Sequence, residues 1–453
     1  MTSETDLFAP EDTGETLLID LLSRSRKVLV KKLSNNDRDW AQKANKHQAG
    51  VYIPPAQRDD GFFPALVTRH RGDEAAEIRE VYFRTEWPQV GEEKATRLVH
   101  YTSKGAETHM TGLPKAAFSQ LSPASWLVMA QKHDAPEPTF ICLTISSDSD
   151  ASALLVDVLD LASDFAVAVL QPAAISALER DRIMGFAEEV AAAWLANDIA
   201  SFAAGRAAMP ATAELAVLAR GRFLEGKGLA SLDPFGLARP GDAIREISRA
   251  IEWELFRDFQ RRERAVELVR AVFGDQPAAM DMKTVIRRMV DGVAEIDRIM
   301  LSASQQRKSR AGYSFEHHIE AMLEAGSIPF AKQVVIEARK RPDFVLPSLA
   351  HLRGELEGPA RGLILSAKTT LRERWKQVER EMGASDLYLA TVDETIAANA
   401  IEDMATMNIT LVVPESLKTS RDTEYVRHDN VMDFATFFGR ELRDVRMPAW
   451  NLC

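Results

Sequence analysis

Arg341-Pro-Asp-Phe-Val-Leu-Pro347, followed after a polar gap by Leu363-Ile-Leu-Ser-Ala-Lys-Thr-Thr-Leu-Arg-Glu-Arg-Trp375, decides the fold of the C-terminal half. Phe344–Leu346 and Leu363–Leu365 are short apolar runs bounded by turn residues, which predicts two adjacent buried strands. Asp343 opens the first run, and Lys368 closes the second 25 residues later. Adjacent strands would bring this carboxylate and this ammonium together at one sheet edge. Metal-assisted phosphodiester cleavage uses such a pair: a carboxylate holds a divalent cation, and a lysine positions or activates the attacking water.

Outward from that stretch, strands and helices alternate. A helix is expected at Arg372–Met382, a strand at Leu387–Val392, a helix over 393–406 and a strand at Ile409–Val413. Upstream, Asp242–Val272 reads as one long amphipathic helix. The pattern predicts an α/β domain with a mixed central sheet. The first part of the chain is different. Lys27–Leu33, Gly50–Ile53, Phe62–Val67, Glu77–Arg84, Thr96–Tyr101, Ser125–Ala130 and Thr139–Ser146 are closely spaced strand candidates, the pattern of a sandwich or barrel. Asp181–Ala200 is expected as a helix and Ala203–Ala213, rich in small residues, as a linker. The expected domains are therefore 1–205, with a helical extension from about 171, and 206–453.

Composition narrows the function classes. The chain has 453 residues, 46% of them hydrophobic and 27% charged, which suits two or three globular domains. Its formal charge of −11 gives no bulk basicity, so nucleic-acid binding would need a local patch. Two cysteines, Cys142 and Cys453, cannot build a disulfide framework or a cysteine-rich zinc site. The acidic N-terminus lacks signal-peptide character, and the longest apolar stretches, Ala191–Ala196 and Phe165–Leu170, are too short to span a bilayer. A cytoplasmic protein without membrane or nucleotide-cofactor partners is the expectation.

A metal site usually takes more than one carboxylate. Ser366 occupies the position two before the lysine, where an acid often stands, but Glu381 follows Lys368 by 13 residues on an expected helix and could return it. Glu316 flanks an apolar helical face of Phe315, Ile319 and Leu323. His317 and His318 are adjacent and cannot share a helix face, so a paired metal role is not expected. Arg372-Glu373-Arg374 is chemically suited to G·C pairs, since arginine reads guanine and glutamate accepts from the cytosine amino group. Each feature alone has a bland reading as a strand-end charge or a solvated helix face.

Together these residues resemble the EcoRII family of type II restriction endonucleases, within the PD-(D/E)xK superfamily. Three blocks carry the likeness: Arg307-Lys-Ser-Arg-Ala-Gly-Tyr-Ser-Phe-Glu316, Lys340-Arg-Pro-Asp-Phe344 and Lys368-Thr-Thr followed by Arg374-Trp375. The family's 13-residue lysine-to-glutamate interval selects Glu381. Near the N-terminus, Lys31-Lys-Leu-Ser-Asn-Asn-Asp37 and His47-Gln-Ala-Gly-Val-Tyr-Ile-Pro54 resemble the family's effector domain.

The resemblance implies an N-terminal all-β DNA-binding pseudobarrel and a C-terminal α/β restriction-endonuclease-like domain. It implies a type II site-specific deoxyribonuclease that uses Mg²⁺ and acts as a homodimer on double-stranded DNA. Asp343, Lys368, Glu381 and Glu316 would form the catalytic site, with Asp343 and Glu381 as metal ligands. Arg372, Glu373 and Arg374 would read a site of the CCGG, CCNGG or CCWGG group. His47, Tyr52, Lys94 and Arg97 would face a second, effector DNA copy whose binding relieves occlusion of the cleft. A catalytically idle DNA-binding regulator and a structure-specific repair nuclease are the competing readings.

Overall fold

The computed structural model describes residues 14–42, 50–69, 77–102, 107–162, 164–335, 341–355, 361–371 and 386–450, with the side chains of 179–180, 182–184, 297, 300 and 301–313 outside that description. The chain divides into two compact units. One is Met1–Ala177 with Glu394–Ala398 and Ser420–Val426; the other holds Leu178–Asp393, Asn399–Thr419 and Arg427–Cys453.

The first unit is built on a nine-stranded sheet: β1 (Val28–Lys32), β2 (Val51–Tyr52), β3 (Val67–Arg69), β4 (Ile78–Trp87), β5 (Glu92–Tyr101), β6 (Thr108–Thr111), β7 (Trp126–Gln131), β8 (Thr139–Ile145) and β9 (Val167–Leu170). The order is β2-β6-β5-β4-β8-β7-β1-β9, with β3 also on β4. Pairing is antiparallel except between β4 and β8. Strand alternation feeds two cores. Leu29, Leu127 and Met129 join Phe62, Phe83, Trp87, Phe118 and Phe140 on one face. Val28, Val30, Trp126 and Val128 pack on the other face against Leu18, Leu21, Leu22 and Leu155. Those leucines lie on the helices Gly14–Arg24 and Asp150–Val158, so the expected all-β unit carries a helical layer. Its cause is a sheet apolar on both faces, which needs cover on each.

The second unit holds a six-stranded sheet: β10 (Ala331–Lys332), β11 (Phe344–Leu346), β12 (Leu363–Ala367), β13 (Asp386–Ala390), β14 (Ile409–Val413) and β15 (Val431–Asp433), in that order. β10, β11 and β12 pair antiparallel, and β12 to β15 pair parallel, so the sheet is mixed. The helix Val293–Ala325 buries Phe315, Ile319, Met322 and Leu323 against Phe344, Leu363, Leu365 and Ala390. That seats the end of the helix that bears Glu316 on the strands that bear Asp343 and Lys368.

Several expected bounds shift. The boundary at 205/206 falls inside the second unit, because Val190, Ile199, Phe202 and Ala207 bury with Val266 of that unit. The helix expected at Asp181–Ala200 runs Pro172–Leu195, and 203–207 of the expected linker form a π-helical turn. Asp242–Val272 is three consecutive helical segments, Pro240–Glu246, a π turn at Ile247–Ile251 and Glu252–Phe273. Phe62 and Phe63 are core residues outside any strand, and Pro64 separates them from β3. The helix expected at Arg372–Met382 lies wholly outside the described residues.

Candidate active site

Asp343 precedes β11 by one residue and Lys368 follows β12 by one. The two strands run antiparallel with Phe344 opposite Leu365, so the start of one strand lies beside the end of the other. This is why two residues 25 apart in sequence meet. Asp343 Oδ2 accepts from Lys368 Nζ at 2.7 Å and from the Ala367 backbone N–H at 2.8 Å. Lys368 is itself pinned to the sheet, its backbone N–H donating to Ala390 O on β13 at 2.9 Å.

Glu316 completes the described cluster, with Oε1 3.9 Å from Lys368 Nζ. Its helix is anchored by Phe315 and Ile319, both fully buried, and Glu316 sits on the edge of that face. Burial pushes its carboxyl up to about 7, and the Asp343 charge adds to the shift. Lys368, Lys332 and a hydrogen bond from Gln333 pull the other way. Ser366 is on the same strand face as Lys368 by alternation, and it is fully buried.

Lys332 and Gln333 are site neighbours that sequence reasoning missed. Lys332 opposes Phe344 on β10, and Gln333 continues the ladder, its N–H donating to Asp343 O at 3.2 Å. Gln333 holds a φ of +50°, a backbone region costly for a residue with a Cβ, and its side chain bonds the Glu316 carboxyl. Lys332 Nζ pairs with Glu320 Oε2 at 2.6 Å. The available signal was a Lys-Gln pair inside the apolar run Ile328–Ile336, on a strand of two residues that carries no periodicity.

The histidines separate as adjacent helical residues must. His317 Nδ1 lies 3.3 Å from Glu320, whereas fully buried His318 has Nε2 2.8 Å from Glu252 Oε2. A second buried acid, Asp393, holds the turn after the lysine. It is 1% exposed, and Oδ2 accepts from the Leu371 N–H at 2.7 Å.

The donors around Lys368 are carboxylate oxygens, a hard set that fits Mg²⁺ rather than a softer metal. The two bonds described for Asp343 both fall on Oδ2, so Oδ1 has no partner among the described residues. Among those residues no group of three His, Cys, Asp or Glu gathers at metal-binding spacing. Glu381, the further acid expected, lies outside the described residues, as do Arg372, Glu373 and Arg374.

In the first unit, His47 also lies outside the described residues. Tyr52 pairs with His109 across β2 and β6, their rings 5.9 Å apart. Its backbone N–H donates to Asp37 Oδ1 at 2.7 Å, and Asp37 Oδ2 takes Lys31 Nζ at 2.8 Å, Ser34 Oγ at 2.9 Å and the Ser34 N–H at 3.0 Å. The Lys31–Asp37 block thus serves as a buried anchor for β2. Arg97 on β5 pairs with buried Glu80, which also binds Arg69 at 2.9 Å, and lies over the Tyr82 ring. Lys94 pairs with Glu92 at 2.7 Å at the strand surface.

Residues 278–438 match the family model described as EcoRII C terminal. The chain is 37% identical over 136 residues to the type II restriction enzyme EcoRII of Escherichia coli, covering 29% of this chain and 33% of that one. It is 29% identical over 147 residues to the type II restriction enzyme SsoII of Shigella sonnei, covering 30% of this chain and 46% of that one. The chain therefore spans a third of the length of the first relative and less than half of the second. A solved structure of metal-depleted Ecl18kI with uncleaved, modified DNA aligns at a TM-score of 0.42 and 24% identity, covering 54% of this chain and 79% of that one. The matched segment 278–438 contains Glu316, Asp343 and Lys368, and over it the likeness to the EcoRII type holds.

Proposed function

We propose that this chain, with its EcoRII-type C-terminal segment, is a Mg²⁺-dependent, sequence-specific endonuclease of double-stranded DNA that belongs to a restriction–modification system. The observation that carries the reading is the convergence of Asp343, Lys368 and Glu316, with Glu316 raised to about 7. Three such groups, two at the ends of neighbouring strands and one from the helix packed on them, exceed what a structural ion pair needs, and a carboxyl poised near neutrality favours a reactive site.

Asp343 and Glu381 would hold the cation, which when bound supplies charge stabilisation to the phosphate. Lys368 Nζ orients the water whose oxygen attacks phosphorus as the ester bond to the leaving oxygen breaks. Glu316 supports the site from the helix, its carboxyl bonded by the Gln333 side chain. Arg372, Glu373 and Arg374 read a CCWGG- or CCNGG-like site, and two chains act on its two halves. A second DNA copy binds the first unit through His47, Tyr52, Lys94 and Arg97 and activates cleavage.

Digestion of methylation-free plasmid DNA with Mg²⁺, followed by sequencing of the fragment ends, tests the reading. A defined short site at every end is expected. Intact plasmid would favour an idle DNA-binding regulator, and ends set by DNA structure would favour a repair nuclease. Arg374→Ala is expected to cost about 1–3 kcal/mol of discrimination at one G·C pair, measured by cleavage of a substrate panel.

A further inference from the structure

Lys332 and Gln333 are consecutive, yet both side chains reach one helix. Lys332 Nζ pairs with Glu320 Oε2 at 2.6 Å, and the Gln333 side chain bonds the Glu316 carboxyl one turn earlier on Val293–Ala325. A chain that continued as a regular strand would send these neighbours to opposite faces. Gln333 departs from that rule through its φ of +50°, in the left-handed region. The residue is exposed, so core packing does not call for this conformation. Backbone strain of this kind gathers at functional sites, where the surroundings hold it in place.

The same residue holds the other acid. Its N–H donates to Asp343 O at 3.2 Å, across the ladder that sets Lys332 opposite Phe344. Gln333 therefore meets Asp343 through its backbone and Glu316 through its side chain. Lys368 Nζ lies 2.7 Å from Asp343 Oδ2 but 3.9 Å from Glu316 Oε1, beyond hydrogen-bond reach. A partly buried carboxylate so close to an ammonium is drawn to close that gap. Something must hold it back.

We propose that Gln333 is a positioning residue of the candidate site: its left-handed backbone aims a neutral amide at Glu316 and keeps that carboxylate from collapsing onto Lys368. The amide donates to a Glu316 oxygen without adding a charge, so the site keeps its negative balance. Lys368 Nζ commits one donor to Asp343 and keeps others for the attacking water. The purpose of this arrangement rests on the nuclease reading; the arrangement itself does not.

Gln333→Gly in the full chain removes the amide, relieves the backbone and leaves no cavity. Its thermal midpoint is expected to equal or exceed the parent's, while single-turnover cleavage with Mg²⁺ slows about tenfold or more. A residue that only supports the fold would lose stability instead. On a Glu316→Gln background, where no carboxylate is left to collapse, the substitution is expected to slow cleavage no further. In a crystal structure of Gln333→Gly, the Glu316 carboxylate is expected at hydrogen-bond distance from Lys368 Nζ. A lower midpoint, a rate equal to that of a cutting parent, a further loss on the Glu316→Gln background or an unmoved carboxylate would each overturn the proposal. A parent that cuts no DNA, beside a variant whose carboxylate has closed on Lys368, sinks the nuclease reading alone. A parent that cuts, beside a variant whose carboxylate stays in place, sinks this one alone.

Discussion

Lys31–Asp37 and Lys368–Asp343 are the same ion pair in chemical terms, with Nζ–Oδ2 distances of 2.8 and 2.7 Å, yet their surroundings differ. Asp37 is 2% exposed and its two oxygens accept from Lys31, from Ser34 twice and from Tyr52. That carboxylate has little capacity left, and its work is to hold β1, the following helix and β2 together. The Asp343 pair is partly open, with Lys368 26% exposed, and a second carboxylate competes for the same lysine. Two acids facing one ammonium leave negative charge uncompensated, which is what a cation site requires and a structural pair avoids. Saturation, rather than the presence of a lysine–aspartate pair, separates anchor from reactive site.

The largest effects should divide along this line. Lys368→Ala is expected to slow single-turnover DNA cleavage by about 10²–10⁴-fold, with the unfolding midpoint in denaturant almost unchanged. Asp37→Ala should do the reverse. It leaves Lys31 buried without its counter-charge and strips a partner from the Tyr52 N–H, at a cost of about 3–5 kcal/mol in denaturant unfolding. A loss below about 1 kcal/mol would mean that Asp37 is no more saturated than an exposed pair, and the comparison would fail.

How much of this was legible follows from where each signal resides. β11 and β12 were readable because Phe344–Leu346 and Leu363–Leu365 are buried on both faces and bounded by turns, so hydrophobicity and strand coincide. The meeting of Asp343 and Lys368 follows from their being antiparallel neighbours. Phe62 and Phe63 show the opposite case: they are apolar because they fill the core from outside any strand, and apolarity alone reports burial. Lys332 and Gln333 were illegible because a two-residue strand has no period, and their role arises from Asp343 across the ladder. The unit boundary was obscured because helical residues after 177 look alike wherever they pack; burial of Val190, Ile199 and Phe202 with Val266, and the Trp194 bond to Gly274 O, assign them.

Glu316 sharpens the comparison through pH. Its folded pKa of about 7 lies above the ordinary carboxyl value of 4.5. The group therefore favours the cation-free fold when protonated, and that stability is fully present below its unfolded pKa and lost as pH rises through about 7. A cation held on Asp343 would favour the ionised form of the neighbouring Glu316 carboxyl, so apparent Mg²⁺ affinity should rise with pH and level off above about 7. The slope below that value approaches about tenfold per pH unit. Glu316→Gln should flatten it. Calorimetric titration with Mg²⁺ from pH 5.5 upward reads this directly, and a parent with no pH dependence would show that Glu316 is already satisfied, as Asp37 is.

Lys94 gives the smallest effect and a third kind of pair, since it meets Glu92 at 2.7 Å with side chains 40% and 34% exposed. Water screens such a contact, so Lys94→Ala should change stability by less than about 1 kcal/mol. A weakly committed ammonium is also the kind that can turn to a phosphate, whereas Arg97 is engaged by Glu80, a carboxylate that Arg69 shares. If the first unit binds DNA over β5, Lys94→Ala lowers the slope of log affinity against log salt by about 1, with little dependence on sequence. A salt slope unchanged in fluorescence anisotropy would remove Lys94 from the DNA face. It would leave the exposed pair with neither of the roles that saturation assigns to Lys31 and openness to Lys368.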